Sequence, residues 1–199
     1  METTMTQADD AALDVIFCNA RTYTAWQDKP VSDETLMQVY DLCKWGPTSS
    51  NCLPMRIIFV KSTAAKERLK SCLAGGNVEK TMKAPATAII AYDMEFYNLM
   101  PKLWPHSDMK SYFAKTPDAV QPTAFRNGSL QGAYFIIAAR ALGLDCGPMS
   151  GFDNAKVDGE FFKDTQVKSN FLCNLGYGDA SKLYPRGPRL AFEEACKII

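Results

Sequence analysis

The chain is organised around the stretch Trp45-Gly46-Pro47-Thr48-Ser49-Ser50-Asn51-Cys52-Leu53-Pro54, which separates an amphipathic pattern from a short apolar run. Its prolines and glycine fix the backbone, while short hydroxyl and amide side chains can hydrogen-bond a ligand without filling the space that it needs. Loops beside an α/β core often carry binding groups. A polar connector would have the same composition, so the loop is either a connector or one wall of a binding site.

Hydrophobic periodicity predicts helices and strands on both sides of this loop. Apolar residues in 36–43 repeat at i, i+3, i+4 and i+7 behind Ser32, which predicts a capped helix. The continuous apolar run in 56–61 predicts a strand covered on both faces. The same patterns predict further strands over 87–92 and 169–175. They also predict further helices, of which one is capped by Asp10, one is capped by Ser62, one lies around 78–82, one covers 122–142, one ends at Phe162 and one covers 190–199. These elements predict the α+β class, with three to five strands.

Three further segments differ from this pattern. The region 94–121 contains three prolines and five aromatic residues, and we expect short helices that form a lid. The segment 144–151 carries Gly147, Pro148 and Gly151, which predicts a second loop. Apolar residues surround almost the whole circumference of helix 122–142, so this helix should be buried on most sides, either centrally or in a subunit interface.

Length and composition predict one domain over 1–199 of a cytoplasmic protein. The 199 residues include 22 basic and 22 acidic side chains that are mixed along the chain, which disfavours binding to nucleic acid. The polar N-terminal segment lacks the pattern of a signal peptide, and no apolar run has the length of a membrane span. Seven cysteines without a Cys-x-x-Cys pair are typical of buried, reduced thiols.

The sequence lacks the residue patterns of several common catalytic sites. His106 is the only histidine, so a histidine-based metal site or a Ser-His-Asp triad would depend on it alone. The segment Gly176-Tyr177-Gly178 is followed by prolines where a dinucleotide-binding helix should begin, and no phosphate-binding loop of the nucleotide hydrolase type occurs. We therefore expect no metal and no catalytic side chain, and an enzyme of this composition would need a cofactor.

Three arginines lie in constrained positions. Arg21 precedes the hydrogen-bonding side chains of 22–24, and Arg186 and Arg189 lie in a Pro-Arg-Gly-Pro-Arg segment that can be neither helical nor central in a sheet. Guanidinium groups beside hydroxyls bind phosphate well. Taken one at a time, each is more readily explained as a surface arginine, and the prolines that constrain Arg186 and Arg189 favour a functional role for these two.

Four segments, in this order, give the chain a resemblance to a known family. They are Arg21-Thr22-Tyr23-Thr24-Ala25-Trp26, Pro47-Thr48-Ser49-Ser50-Asn51-Cys52-Leu53-Pro54-Met55, Pro148-Met149-Ser150-Gly151-Phe152-Asp153, and the pair Arg186 and Arg189. Their order and spacing resemble the FMN-dependent nitroreductase family over nearly the whole chain. The resemblance implies a central, mostly antiparallel sheet flanked by helices, and an intertwined homodimer with FMN at the subunit interface and a C-terminal arm over about 184–199.

The resemblance also implies the roles of individual residues. The FMN phosphate would be bound by Arg21, Arg186 and Arg189. Thr22, Tyr23, Asn77 and Lys80 would lie along the ribityl chain or the pyrimidine edge. The other subunit would contribute Pro47, Thr48, Ser49 and Asn51. The segment that begins at Pro148 would place backbone donors of Met149, Ser150 and Gly151 beside the flavin N5.

Segments 19–22, 44–49, 76–82 and 96–106 resemble, within that family, the malonic semialdehyde reductases of pyrimidine degradation. The resemblance implies ping-pong hydride transfer from NADH or NADPH through flavin to the aldehyde, which yields 3-hydroxypropionate. Leu53, Met55 and Ser150 depart from residues frequent in the family, which makes nitroaromatic reduction a weaker expectation. The alternatives are a broad nitro or quinone reductase and a flavin-binding protein without turnover.

Overall fold

The structure, a computed structural model, describes residues 7–199. Most of the N-terminal segment whose polarity argues against a signal peptide lies outside these residues. The centre of the fold is a four-stranded sheet of β1 (Met55–Val60), β2 (Ala86–Asp93), β3 (Asp145–Met149) and β4 (Val167–Gly176). The strand order is β1-β2-β4-β3, and all three pairings are antiparallel. The predicted α+β class with a mostly antiparallel central sheet is confirmed.

The helices flank this sheet. Their bounds are α1 Asp10–Leu13 (continued by a wider π-helical turn Asp14–Cys18), α2 Asp33–Cys43, α3 Thr63–Lys70, α4 Gly75–Lys83, α5 Met100–Leu103, α6 Met109–Lys115, α7 Pro117–Ala141, α8 Asn154–Phe161 and α9 Phe192–Ala195. The predicted caps at Ser32 and Ser62 are confirmed, since their hydroxyls accept from the backbone N–H three residues later. The prediction for α1 is wrong by one residue, because Asp9 is the cap and Asp10 is already helical.

Alternate residues of β2 face two separate apolar cores. Ala86, Ala88 and Ile90 pack with residues of α2 and α7 on one side of the sheet. Ile89 and Ala91 pack with α3 and α8 on the other side. Because β2 is central and covered on both faces, its sequence is continuously apolar, as expected for such a strand.

The segment 144–151 was predicted as a loop, and that prediction is wrong for most of it. Residues Asp145–Met149 form β3, which pairs with β4 alone among the four strands. Pro148 lacks a backbone N–H, and a proline is tolerated in a strand at the edge of a sheet. Only the positions from Ser150 onward form the expected loop.

The region after β2 forms short helices, as predicted, around its own apolar cluster. Phe96, Met100 and Phe113 are buried there against Tyr92 and Val120. Its predicted end at 121 is wrong, because Pro117 starts α7 and a proline is well tolerated in the first turn of a helix. The segment 94–116 is called the lid segment below.

The prediction for helix 190–199 is wrong, whereas burial of α7 in a subunit interface stays a prediction. Helix α7 is buried on its sheet side at Phe135 and Ala139, but Phe125 and Leu130 are each 46% exposed in the single chain. The predicted helix 190–199 is limited to Phe192–Ala195, and the flanking backbone is irregular. An isolated short helix is marginal in water, and no described residue packs on this one closely enough to bury it.

Five of the seven cysteines are buried, whereas Cys18 and Cys196 are exposed, so the prediction of buried thiols holds for five positions. Burial raises the pKa of Cys43 and of Cys52 to about 11. Among residues 7–199, no helix combines the length and hydropathy of a membrane span. The same residues contain no group of three His, Cys, Asp or Glu side chains close enough to share a metal ion.

Candidate functional site

The segment 21–26 crosses the open edge of β3. Thr22 forms a parallel bridge with Cys146, and Tyr23 N–H donates to the Cys146 carbonyl at 3.0 Å. A Cβ atom on Gly147 would lie 2.5 Å from the Tyr23 carbonyl, and one on Gly178 would lie 2.0 Å from the Tyr23 ring. The absence of a side chain at these two glycines therefore allows Tyr23 to pack closely on β3 and on the segment that follows β4.

The first turns of α4 meet the loop after β3. Asn77 Nδ2 donates to the Gly151 carbonyl at 2.7 Å, and Ala74 N–H donates to the same oxygen at 3.0 Å. A Cβ on Gly151 would lie 2.5 Å from Asn77 Nδ2, so only glycine permits this contact. Among the described residues, the N–H groups of Ser150 and Gly151 find no acceptor. Two adjacent backbone donors beside a polar amide can therefore bind an acceptor atom of a ligand.

The predicted arginine clamp is partly assembled. The Arg21 guanidinium donates to the Tyr184 carbonyl, and the Arg186 guanidinium donates to the carbonyls of Cys18 and Ala20 at 2.8 and 3.0 Å. The C-terminal arm thus places Arg186 next to the chain segment that carries Arg21. Arg189 is different, because its guanidinium donates only to the carbonyls of its neighbours 187 and 188.

An open cavity of about 730 Å³ adjoins these groups. Its lining includes Thr24, Trp26, Lys80, Lys182 and Tyr184. Trp26 Nε1 donates to the Lys80 carbonyl at 3.1 Å, which fixes the indole beside α4. The structure therefore brings together Arg21, Thr22, Tyr23, Asn77, Lys80, Pro148, Met149, Ser150, Gly151 and Arg186 at one corner of the molecule.

Two titratable groups under this corner are perturbed by burial. Desolvation raises the pKa of Tyr23, and the nearby Asp145 carboxylate adds to the effect, whereas Arg21 opposes it. Desolvation also raises the pKa of Asp145, although its carboxylate accepts from Gly178 N–H at 2.8 Å. Tyr23 is therefore a neutral phenol at physiological pH, and it is not a general base.

The polar loop 47–53 lies elsewhere, against α7 and the lid segment. Ser49 N–H donates to Asn127 Oδ1 at 2.8 Å, and Asn51 Nδ2 donates to the Leu103 carbonyl at 3.0 Å. Thr48 Oγ1 accepts from Leu53 N–H at 3.3 Å. The hydroxyl of Ser49 is used by no described residue, so part of the loop's hydrogen-bonding capacity remains available.

The strand register shows how far the polar loop lies from the corner around Arg21. Met55 pairs with Tyr92 at one end of β2, whereas Ala86 at the other end pairs with Leu175, which pairs with Cys146. Three strand spacings of about 4.8 Å and six residues of about 3.3 Å separate Met55 from Cys146, or about 25 Å in all. Pro47, Thr48, Ser49 and Asn51 therefore do not reach the corner of Arg21 within one chain.

Sequence reasoning missed the side chains that hold the polar loop. Asn127 and Gln131 are 2% and 4% exposed, and both lie on α7. Gln131 Oε1 accepts from Met55 N–H at 2.9 Å. Arg56 donates to the Leu53 carbonyl at 3.2 Å and forms an ion pair with Asp93 at 2.7 Å. The sequence did contain a signal for this role, because Asn127 and Gln131 lie inside a helix that was predicted to be buried. Buried amides need polar partners, so a contact with another element could have been predicted.

The chain belongs to the nitroreductase family, whose model matches residues 19–177. A protein of Polynucleobacter asymbioticus, provisionally named NADH dehydrogenase/NAD(P)H nitroreductase, is 59% identical over 191 residues, which cover 96% of this chain and 97% of that protein. This result confirms the family resemblance that the four segments indicate.

Solved structures share the fold at low sequence identity. A protein of Bacillus subtilis, provisionally a nitroreductase, superposes with a TM-score of 0.85 at 20% identity and covers 96% of this chain and 100% of its own. A second such protein, from Exiguobacterium sibiricum and solved in complex with FMN, gives a TM-score of 0.81 at 18% identity and covers 99% of this chain and 100% of its own. Both confirm the nitroreductase fold.

Proposed function

We propose that the protein is an FMN-dependent oxidoreductase that uses NADH or NADPH. The observation that carries the proposal is the arrangement of donors along β3: Arg21 and Arg186 lie beside the beginning of the strand, and the unused N–H groups of Ser150 and Gly151 follow its end. This donor set fits a molecule with a phosphate at one end and hydrogen-bond acceptors at the other. Family membership and the FMN complex of the Exiguobacterium protein support the choice of FMN.

The residues of this corner would bind and orient the cofactor. Arg21 and Arg186 would neutralise the phosphate, with Arg189 joining them if the arm rearranges on binding. Thr22, Tyr23 and Lys80 would line the ribityl chain and the pyrimidine edge, and Asn77 would fix the loop at Gly151. When bound, FMN would accept a hydride from the reduced nicotinamide and deliver one to the second substrate. Orientation and exclusion of water matter most for such a transfer, so no titrating side chain is required.

We propose that two copies of the chain complete each site. The strand register above places Met55, which follows the polar loop in the chain, about 25 Å from Cys146, which forms a bridge with Thr22. A second subunit would place its own polar loop over the first subunit's corner. A homodimer would therefore unite in two equivalent sites the residues that a single chain keeps apart.

Two surfaces support this dimer. The outer face of α7 exposes Phe125, Leu130 and Tyr134, which a subunit contact would cover. In the arm, Leu190, Phe192 and Ile199 are more than half exposed, and all described hydrogen bonds of 187–199 are local. A groove of about 920 Å³ between α2 and the open edge of β1, lined by Met37, Tyr40, Ile57 and Phe59 among others, would accept an apolar arm from the partner.

For the second substrate, malonic semialdehyde is the first candidate, with 3-hydroxypropionate as the product. The support is the resemblance of 19–22, 44–49, 76–82 and 96–106 to reductases of pyrimidine degradation. In this reduction the aldehyde carbonyl gains one hydride, which comes from the nicotinamide, and one proton, which comes from water. A cytoplasmic location would fit this chemistry, because reduced nicotinamides are cytoplasmic reductants.

The second candidate is a broad nitro or quinone reductase. The name of the Polynucleobacter relative, which includes NAD(P)H nitroreductase, favours it. A flavin-binding protein without turnover is the third candidate. All three would have the same arginines and the same polar loop.

Anaerobic mixing of the FMN-loaded protein with NADPH, and separately with NADH, tests the function. We expect the visible flavin absorbance to be lost within seconds with at least one of them. Re-oxidation by malonic semialdehyde, nitrofurans and quinones then ranks the substrates. Fastest re-oxidation by the aldehyde supports the first candidate, and fastest re-oxidation by a nitrofuran or quinone supports the second. A flavin that stays oxidised with both nicotinamides contradicts the reductase proposal.

A further inference from the structure

The polar loop has an unusual backbone. Ser50, Asn51 and Leu53 have φ angles of 49°, 52° and 39°, within four consecutive residues. Side-chain-bearing residues rarely adopt this left-handed region, and leucine does so less readily than asparagine. A run of such conformations persists only where neighbouring groups hold it.

Two buried amides of α7 hold the two ends of this backbone. Asn127 Oδ1 accepts from Ser49 N–H at 2.8 Å, and Gln131 Oε1 accepts from Met55 N–H at 2.9 Å. Asn127 and Gln131 are four residues apart and therefore lie on one face of the helix. Asn127 Nδ2 also donates to the Thr123 carbonyl at 2.9 Å, which fixes the orientation of its amide.

The middle of the loop is held by apolar packing and by an arginine, and not by the amides of α7. Cys52 is 1% exposed and packs in the cluster of the lid segment, and Arg56 holds the Leu53 carbonyl. These groups fix the middle of the loop, while α7 fixes its ends. The spacing between Ser49 and Met55 is thus set by the spacing of two side chains on one rigid helix.

We infer that Asn127 and Gln131 are positioning residues, which hold the loop in the left-handed conformation that presents Thr48, Ser49 and Asn51 to the cofactor. The inference rests on the proposed function for the identity of that cofactor, whereas the clamp itself is a property of the free chain. Asn127 does not touch the ligand, and it acts through the backbone of Ser49. The same helix carries the exposed face proposed as the dimer contact, so α7 would couple subunit association to the shape of the loop.

The test compares Asn127→Leu with Asn127→Asp and with the control Asn170→Leu. Asn170 Nδ2 donates to Ser129 Oγ at 2.9 Å, so the control removes an amide contact to the same helix from a residue that makes no hydrogen bond to the loop. Amide hydrogen exchange of 48–55 in the apo protein, the dissociation constant of FMN and the visible circular dichroism of bound flavin are measured for all three.

We expect Asn127→Leu to accelerate exchange in 48–55 and to weaken FMN binding at least tenfold, with altered visible dichroism, while Asn170→Leu changes none of these. Burial should raise the pKa of an aspartate at 127. In its protonated form that group can accept from Ser49 N–H and donate to the Thr123 carbonyl. Asn127→Asp should therefore approach the wild type near pH 5 and depart from it near pH 8.

Wild-type exchange and FMN affinity in Asn127→Leu would overturn the inference, as would equal effects in Asn170→Leu. If Asn127→Leu does not fold, Asn127→Asp and Gln131→Glu, each measured at both pH values, take its place. A protein that binds no FMN even as wild type contradicts the proposed function. In that case the exchange rates still decide whether Asn127 holds the loop.

Discussion

At the scale of single residues, the account depends most on Arg21. Its guanidinium lies where the C-terminal arm passes the segment 20–23, and the Arg186 guanidinium reaches the same backbone from the arm. Two forked cations that already share one region can bind a phosphate without first being gathered there. Arg186 is therefore a better candidate than Arg189 for the second arginine of the phosphate site, because only Arg186 contacts the segment next to Arg21.

We predict that Arg21→Ala weakens FMN binding by about 2 kcal/mol, which is the scale for the loss of a charge-assisted contact. The control is Arg68→Ala, because Arg68 pairs with Glu160 on the surface. Fluorescence titration of the apo proteins with FMN measures the change. Equal affinity in both variants would remove Arg21 from the phosphate site.

A second prediction concerns the close contact between Gly178 and Tyr23. Gly178→Ala should lower the free energy of unfolding by about 2 kcal/mol, because the new methyl group overlaps the Tyr23 ring. Gly159→Ala is the control, since its Cβ meets nothing within 4 Å and alanine favours a helix by about 0.5–1 kcal/mol. Urea denaturation of both variants should give changes of opposite sign. Two changes of the same sign would contradict the packing described for Tyr23.

A third prediction follows from the raised pKa of Asp145. A carboxyl whose pKa is higher in the folded state binds its proton more tightly there, so its ionisation costs stability as the pH rises through that pKa. In the variant Asp145→Asn, the amide oxygen can still accept from Gly178 N–H, and the loss of stability on ionisation is removed. Its stability relative to the wild type should therefore be more favourable at pH 7 than near pH 4, measured by urea denaturation across that range. A relative stability that is more favourable at pH 4 would mean that the carboxylate is stabilised in the fold.

The family resemblance, together with the constrained positions of the arginines, predicted which residues would lie at the corner around Arg21. Neither indicated that Asn127 and Gln131 hold the polar loop. A buried amide in a helix has no fixed partner in the sequence, since its acceptor and donor reach across to another element. The left-handed φ angle of Leu53 could not be predicted from the sequence either, because leucine seldom adopts this conformation.

At the scale of elements, α7 is the scaffold of the molecule. One of its faces packs on the sheet, its amides hold the polar loop, and its outer face carries Phe125 and Leu130. A helix that is apolar around its circumference but exposed on one side in a single chain is expected to pack against another chain.

We predict that Leu130→Arg weakens the proposed homodimer at least tenfold, because a charge would be buried in the subunit contact. Leu99→Arg is the matched control, since Leu99 lies in the lid segment with a similar exposure of 44%, compared with 46% for Leu130. Sedimentation equilibrium gives both dissociation constants. A monomeric wild type, or equal constants in the two variants, would contradict this role of α7.

Periodicity predicted the central strands and the long helix because their apolar residues recur over many positions. It failed at β3 and at the C-terminal arm for opposite reasons. Gly147 and Pro148 resemble loop residues, yet an edge strand tolerates both because only one side of it must pair. The arm from 190 has apolar residues at helical spacing, but none of the described residues covers them, so the helix is limited to four residues.

At the scale of the whole molecule, the fold keeps the two groups of predicted ligand-binding residues at opposite corners of one sheet. Strand order β1-β2-β4-β3 places the polar loop beside one edge strand and the Arg21 corner beside the other. Under the proposed homodimer, this separation would leave the site of a single chain incomplete until a second chain joins it. The family resemblance already implied this separation, because it assigned Pro47, Thr48, Ser49 and Asn51 to the other subunit.

The most direct test of the account is the visible absorption spectrum of the purified protein, followed by mass determination of the chromophore released on denaturation. We predict a yellow protein, or a colourless one that becomes yellow with added FMN, that releases FMN in a ratio near one per chain. A protein that is colourless and takes up no FMN would contradict the central claim, and Arg21 and Arg186 would then be surface residues that only hold the C-terminal arm.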